Sequence, residues 1–109
     1  MKLKELLKGI DYIKIEGVQD RAVEAMYYDS RKVTPDSLFF CIKGLTVDGH
    51  DYAAQAVAKG ANILVLERDA EVDGDVTKVF VPDSRIAMAY MAKNYYRNPT
   101  KGITFIGIT

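Results

Sequence analysis

Asp29-Ser30-Arg31-Lys32-Val33-Thr34-Pro35-Asp36-Ser37-Leu38-Phe39-Phe40-Cys41-Ile42-Lys43-Gly44 holds the pattern that settles the architecture of this chain. Leu38-Phe39-Phe40-Cys41-Ile42 is a short run without a polar residue, the pattern of a strand covered on both faces. Thr34-Pro35-Asp36-Ser37 before it is a turn: Pro35 pre-sets φ, and Asp36 and Ser37 tolerate turn geometry. Upstream, residues 22–28 alternate loosely and run as a strand into Asp29-Ser30. Downstream, Gly44 and Gly49 bracket a loop. Asp51 then serves as N-cap for a helix carrying Ala53, Ala54, Ala56 and Val57, which Gly60 closes.

The pattern continues outward from this block. Ile63-Leu64-Val65-Leu66 reads as another buried strand, Asp73-Gly74-Asp75 as a turn and Lys78-Val79-Phe80-Val81 as a further strand. Pro82-Asp83-Ser84 starts a helix with Ile86, Met88, Ala89 and Ala92 on its apolar face, ended by Asn98-Pro99. A last strand runs from about Ile103 to Ile108, and Leu3, Leu6 and Leu7 mark a short helix at the start. Strands alternating with helices predict an α/β fold, a largely parallel sheet flanked by helices. Right-handed crossovers then bring the loops after the strands to one edge, where such folds bind ligands.

The bulk properties narrow the function. The 15 basic and 15 acidic residues balance, which withholds the basic surface that general nucleic-acid binding needs. No apolar run approaches the roughly 20 residues of a membrane span. Lys2, Lys4 and Glu5 interrupt the first leucines, unlike a signal peptide. One cysteine excludes an internal disulfide and suits a reducing cytoplasm.

Residue chemistry favours a binding module over a complete enzyme. Asp29-Ser30-Arg31 offers a carboxylate, a hydroxyl and a fork of donors suited to an anion. It also reads as a plain strand end, with Asp29 capping the turn and Arg31 solvated or paired with Asp29 or Asp48. The Lys43–Gly49 loop permits close backbone approach to a ligand but is neither a Walker A nor a dinucleotide-binding sequence. His50, the only histidine, has no partner set for a metal and reads as ordering the helix start. Cys41, inside an apolar run, reads as an inert thiol. Tyr95-Tyr96 fits either stacking on a base or packing at a helix end.

Asp29-Ser30-Arg31-Lys32-Val33-Thr34-Pro35, Leu38-Phe39-Phe40, Lys43-Gly44 and Asp48-Gly49-His50-Asp51-Tyr52-Ala53 together resemble the N-terminal domain of the Mur ligases, most closely the MurE type. The resemblance runs from about residue 20 to the end. It implies a domain over residues 1–83 that binds the UDP moiety of UDP-N-acetylmuramoyl-L-alanyl-D-glutamate. Residues 84–109 are then the first helix and strand of an ATP-binding central domain, cut just before a Gly-Thr-Asn-Gly-Lys-Thr phosphate loop. In the parent ligase of peptidoglycan biosynthesis, ATP and Mg2+ activate the D-glutamyl carboxylate as an acyl phosphate, which the amine of a diamino acid attacks. This part carries no catalytic residue, cofactor or metal site of its own.

The resemblance also implies roles for residues. Ser30 donates its hydroxyl to the UDP moiety, Tyr28 lies beside the nucleotide, and Leu45, Thr46 and Val47 line the uridine side. Asp29, Arg31, Gly44, Asp48 and Gly49 support them. Some relatives carry His-Gln-Ala where Leu45-Thr46-Val47 stands, so contacts there fall to the backbone and the Thr46 hydroxyl. A MurF-type N-terminal domain shares the Asp-Ser/Thr-Arg and Lys-Gly pattern and is the alternative parent. A stand-alone α/β interaction domain, self-associating through residues 103–109, is the alternative from another class.

Overall fold

The computed structural model describes residues 1–97 and 104–105. The elements are helix α1 (Leu3–Leu6), strands β1 (Lys14–Glu16), β2 (Ala25–Tyr27) and β3 (Ser37–Phe40), helix α2 (Ala53–Ala58), strands β4 (Ala61–Leu66) and β5 (Thr77–Phe80), helix α3 (Ser84–Arg97) and strand β6 (Thr104–Phe105). Short 3-10 turns at Ser30–Lys32 and Gly49–Tyr52 follow β2 and precede α2. The strands form one six-stranded sheet in the order β1-β5-β4-β3-β2-β6. All neighbours are parallel except β1, which pairs antiparallel with β5.

β3 shows why the sheet is buried on both sides. Leu38 and Phe40 point into a core shared with Leu3, Leu6, Met26, Ile63, Ala87 and Met91, roofed by α1 and α3. Phe39 and Cys41 point the other way, onto Tyr27, Ala53, Ala56, Leu64 and Leu66, beneath α2. A pleat of period two with apolar residues at every position needs cover on both faces. From β2 to β5 the chain steps across the sheet in one direction, and its connections cross the α2 face, where Val33 and Ala70 are buried. From β5 to β6 it returns the other way, so a right-handed crossover sends α3 to the opposite face.

Three local readings differ from the structure. Strand β1 is absent from the sequence pattern, because Lys14-Ile15-Glu16 is short and half polar and exists through its pairing with Lys78, Val79 and Phe80. The helix after the loop begins with the 3-10 turn Gly49–Tyr52, and its cap is Asp48, whose carboxylate accepts from the His50 N–H at 3.0 Å. Asp51 does not cap it. Helix α3 buries Ser84, Ala87, Met91 and Ala92, whereas Ile86 is 55% exposed, so the apolar stripe is turned from the one expected. Asp83 Oδ1 caps this helix, accepting from the N–H groups of Arg85 and Ile86 at 2.9 and 3.1 Å.

Helix α3 lies against α1 in the same core. Asn94 Nδ2 donates to the carbonyls of Leu6 and Lys8 at 2.7 and 2.9 Å, satisfying the end of the four-residue helix α1. Tyr95 is partly buried on that core. Of the expected last strand, Thr104–Phe105 pairs with β2; its remaining residues, and Asn98-Pro99, lie outside the described residues.

Gly60 closes α2 with φ +114°, and a Cβ there would stand 2.5 Å from the Cα of Pro35. The turn before β3 and the end of α2 therefore touch backbone to backbone, a contact reinforced by the Asp36 N–H to Gly60 carbonyl bond at 2.9 Å. Gly60→Ala is expected to destabilise the chain by about 2 kcal/mol or more. A fall in Tm on the order of 10 °C would report it; a melt unchanged within error would show that the turn yields at no cost.

Candidate functional site

The connections after β2 and β3 leave the sheet at the same edge, that of the strands' C-terminal ends. Between them opens a cleft of about 530 Å³, a size that suits a small-molecule ligand. Tyr28, Asp29, Ser30 and Arg31 line it from the β2 side. Phe39, Ile42, Gly44, Val47 and Gly49 line it from β3 and its loop, and Tyr52 and Gln55 from the start of α2. Apolar walls, two tyrosines and a few polar groups make the surface suited to a flat ring with polar substituents.

The turn after β2 is shaped by its own side chains. Asp29 Oδ1 accepts from the Arg31 N–H and Nε at 3.0 Å each, and Oδ2 accepts from Nη2 at 2.9 Å. The side-chain fork of Arg31, then its backbone N–H, lowers the Asp29 carboxyl to about 2. Of the two partners open to Arg31 in the sequence, Asp29 is the one it holds. The turn is tied to α2 by Lys59 Nζ, which donates to the Arg31 carbonyl at 3.0 Å. Ser30, only 7% exposed, directs its hydroxyl toward Gln55 Oε1 at 3.4 Å.

The loop after β3 is a tight reversal. Lys43 and Asp48 face each other across it, and the Gly44 N–H donates to the Val47 carbonyl at 2.7 Å. The Gly49 N–H returns to the Ile42 carbonyl at 2.8 Å, and a Cβ on Gly49 would lie 2.6 Å from the Ile42 nitrogen. Glycine is therefore required where the loop closes on the strand. Asp48 turns away from the cleft. Its carboxylate accepts from the His50 ring at 2.6 Å and from Arg68 Nη2 at 3.1 Å. Burial opposes ionisation of Asp48, but the bonds from His50 and Arg68 prevail and lower its carboxyl to about 2.

The cleft thus gathers Tyr28, Asp29, Ser30, Arg31, Gly44, Val47 and Gly49 of the residues singled out in the sequence. Leu45 and Thr46 stand exposed at the loop tip and do not line it, and Asp48 braces the loop from behind. Phe39, Ile42, Tyr52 and Gln55 line the cleft without having been singled out for it. The i, i+3 spacing of Tyr52 and Gln55 at a helix start was the available signal. Burial, then the charge of Asp48, pushes the Cys41 thiol up to about 12, so no thiolate nucleophile forms there near neutral pH. Among the described residues no group of three or more His, Cys, Asp or Glu is placed to hold a metal ion, and no helix is long and apolar enough to cross a membrane.

Residues 22–99 match the family model described as "Mur ligase family, catalytic domain". Two curated relatives, each named UDP-N-acetylmuramoyl-L-alanyl-D-glutamate--2,6-diaminopimelate ligase, align with the whole chain. The one from Geobacillus thermodenitrificans (strain NG80-2) is 48% identical over 109 residues and that from Clostridium perfringens (strain 13 / Type A) 43%. The chain spans about a fifth of their length, 22% in each case. Among solved structures, the UDP-N-acetylmuramoylalanyl-D-glutamyl-2,6-diaminopimelate--D-alanyl-D-alanyl ligase of Acinetobacter baumannii superposes with a TM-score of 0.72 at 22% identity, over 85% of this chain and 21% of its own. MurF ligase from Thermotoga maritima in complex with ADP superposes with a TM-score of 0.58 at 25% identity, over 67% of this chain and 17% of its own.

The two lowered carboxyls set an acid limit. Their bonds to Arg31, His50 and Arg68 contribute stability that is fully present above the unfolded aspartate value of about 4 and is lost as pH falls through about 2. Carboxyl-carbon NMR titration should give midpoints near 2 for both, with Arg31→Ala raising that of Asp29 alone. An Asp29 midpoint near 4 in the unaltered chain would refute the fork.

Proposed function

The chain belongs to the Mur ligase family, and from that premise we propose that it is the nucleotide-binding N-terminal part of a MurE-type ligase. The parent enzyme would add a diamino acid, 2,6-diaminopimelate in the relatives' names, to UDP-N-acetylmuramoyl-L-alanyl-D-glutamate. Supporting this reading is the cleft, where Tyr28, Ser30, Gly44, Val47 and Gly49 converge at the C-terminal edge of a parallel sheet. The alignments of the whole chain with about a fifth of each diaminopimelate ligase, at 43–48% identity, favour MurE over MurF, because the MurF superpositions rest on the shared fold at 22–25% identity.

In this reading the half-exposed rings of Tyr28 and Tyr52 flank the uracil, and Ser30 hydrogen-bonds the UDP moiety. Val47, which lines the cleft, meets the uridine side; Leu45 and Thr46, exposed at the loop tip outside the lining, reach it only over the rim, Leu45 through its backbone and Thr46 through its backbone and hydroxyl. Asp29 and Arg31 hold the turn, and Gly44 and Gly49 let the loop close on backbone, Gly44 against the Val47 carbonyl and Gly49 against Ile42. This sequence holds no Gly-Lys-Thr loop; ATP and Mg2+ would be held by the central domain of the parent. Binding energy from the nucleotide end would position the distant D-glutamyl carboxylate for activation there and lower its entropic barrier. We put the domain division at residues 83/84, with α3 packed on the N-terminal core while leading into the central domain. Among the described residues β6 is the outer strand, and its far edge is where a following strand or a second copy would add. A nucleotide-linked substrate supports a cytoplasmic parent.

NMR titration of the chain with UDP, and then with UDP-N-acetylmuramoyl-L-alanyl-D-glutamate, should give saturable shifts centred on Ser30 and residues 44–49. Ser30→Ala should weaken UDP by about fivefold, the value of one modest hydrogen bond. The chain alone should form no amide bond with ATP and a diamino acid. Absence of shifts at millimolar UDP would overturn the assignment of the nucleotide site to this cleft.

A further inference from the structure

His50 is 5% exposed and has both ring nitrogens engaged. Its Nε2 accepts from the Glu67 N–H at 2.9 Å, and more weakly from the Arg68 N–H at 3.4 Å. The other nitrogen, Nδ1, therefore carries the proton and donates to Asp48 Oδ1 at 2.6 Å. Glu67 lies just past β4, and its carboxylate reaches a different element. Oε2 accepts from both the N–H and the hydroxyl of Ser84, at 2.8 Å each. Ser84 is fully buried at the first turn of α3. Next to it, Arg85 Nη2 donates to the Lys43 carbonyl at 3.3 Å, back at the base of the cleft loop.

A closed chain of bonds thus runs from the loop through Asp48, His50 and Glu67 to Ser84, and returns from Arg85 to Lys43. None of Asp48, His50, Glu67 and Ser84 lines the cleft. The loop that does line it contributes glycines and the side chain of Val47, with no buried side chain of its own to fix its position. Its closing bonds, Gly44 to Val47 and Gly49 to Ile42, are short-range and would open together if the base moved.

We propose that His50, Glu67 and Ser84 are positioning residues that set the cleft loop 43–49 from the start of α3, so that the loop and α3 move as one unit. This deepens the nucleotide-site reading above and rests on it for the affinity consequence alone. Glu67 is the joint, since its N–H serves the loop and its carboxylate serves the helix. Displacing α3 at Ser84 is then felt at Gly44 and Gly49, and an occupied cleft favours one placement of α3 by the same coupling.

The test uses amide hydrogen exchange of the chain without ligand, followed by UDP titration. Ser84→Ala and His50→Leu should each speed exchange at Gly44 and Gly49 by tenfold or more and weaken UDP at least fivefold. His50→Gln, which keeps an acceptor for the Glu67 N–H, should recover part of both. Val23→Ala, a cavity in the core beneath α1, serves as the control for lost stability and should leave the two glycines and UDP affinity unaltered. Equal exchange at Gly44 and Gly49 in Ser84→Ala and Val23→Ala at matched Tm would overturn the coupling. Faster exchange with unaltered UDP affinity would overturn the positioning role. If the unaltered chain takes no UDP, the nucleotide-site reading fails while the exchange result still decides the coupling.

Discussion

Leu38, Phe39, Phe40 and Cys41 alternate between two cores and are all but inaccessible to water, so β3 is apolar on both faces. Fully burying a side chain the size of phenylalanine is worth about 1.5–3 kcal/mol, and exposing either face would forfeit several kcal/mol of a marginal total. Helices must therefore lie on both sides, and parallel strands with right-handed crossovers supply them. With both faces closed, access for a ligand is left to the sheet edges. The loops after β2 and β3 meet at the C-terminal one, and the cleft sits there for a topological reason before any of its residues is chosen.

What can be read in the sequence follows the same physics. β3 and β4 are legible because a continuous apolar run has few other uses in a chain of ordinary composition. β1 is not, because Lys14-Ile15-Glu16 owes its conformation to β5 and carries no pattern of its own. The face of α3 departs from its apolar pattern at two positions for opposite reasons. Ile86 is apolar yet exposed, and Ser84 is polar yet buried because the Glu67 carboxylate satisfies both its N–H and its hydroxyl. Hydrophobic periodicity records the average solvent exposure of a residue type, and a buried serine with a private acceptor lies outside that average.

The cleft shows a comparable division. Tyr28, Ser30 and Arg31 are visible because they adjoin an evident strand end and carry distinctive chemistry. Tyr52 and Gln55 are hidden by the assumption that Asp51 caps a regular helix. The 3-10 turn that Asp48 caps instead places both residues beside the cleft. Asp48 itself, expected to support the ligand, faces His50 and Arg68. A carboxylate beside a glycine in a loop can serve a ligand or the loop, and only the position of its cationic and N–H partners distinguishes the two.

The loop at residues 43–49 illustrates how a site can be definite without being rigid in itself. Its glycines exclude the side chains that would ordinarily lock a reversal, since a Cβ on Gly49 would collide with the Ile42 backbone. The glycines instead let the loop close backbone to backbone, Gly44 against the Val47 carbonyl and Gly49 against Ile42, and leave no side chain of theirs to wedge it in place. The order that packing would have supplied must then come from outside the loop. It comes from behind, through a histidine that offers a donor on one side and an acceptor on the other, and so bridges a carboxylate and a backbone N–H that could not reach each other. Leaving a nitrogen of this buried ring without its partner would cost about 1–3 kcal/mol, comparable to the binding energy a single ligand contact could return. A single ligand bond would therefore be consumed in rebuilding the loop and leave no net affinity, so the proposed site depends on a brace that already holds the loop in shape.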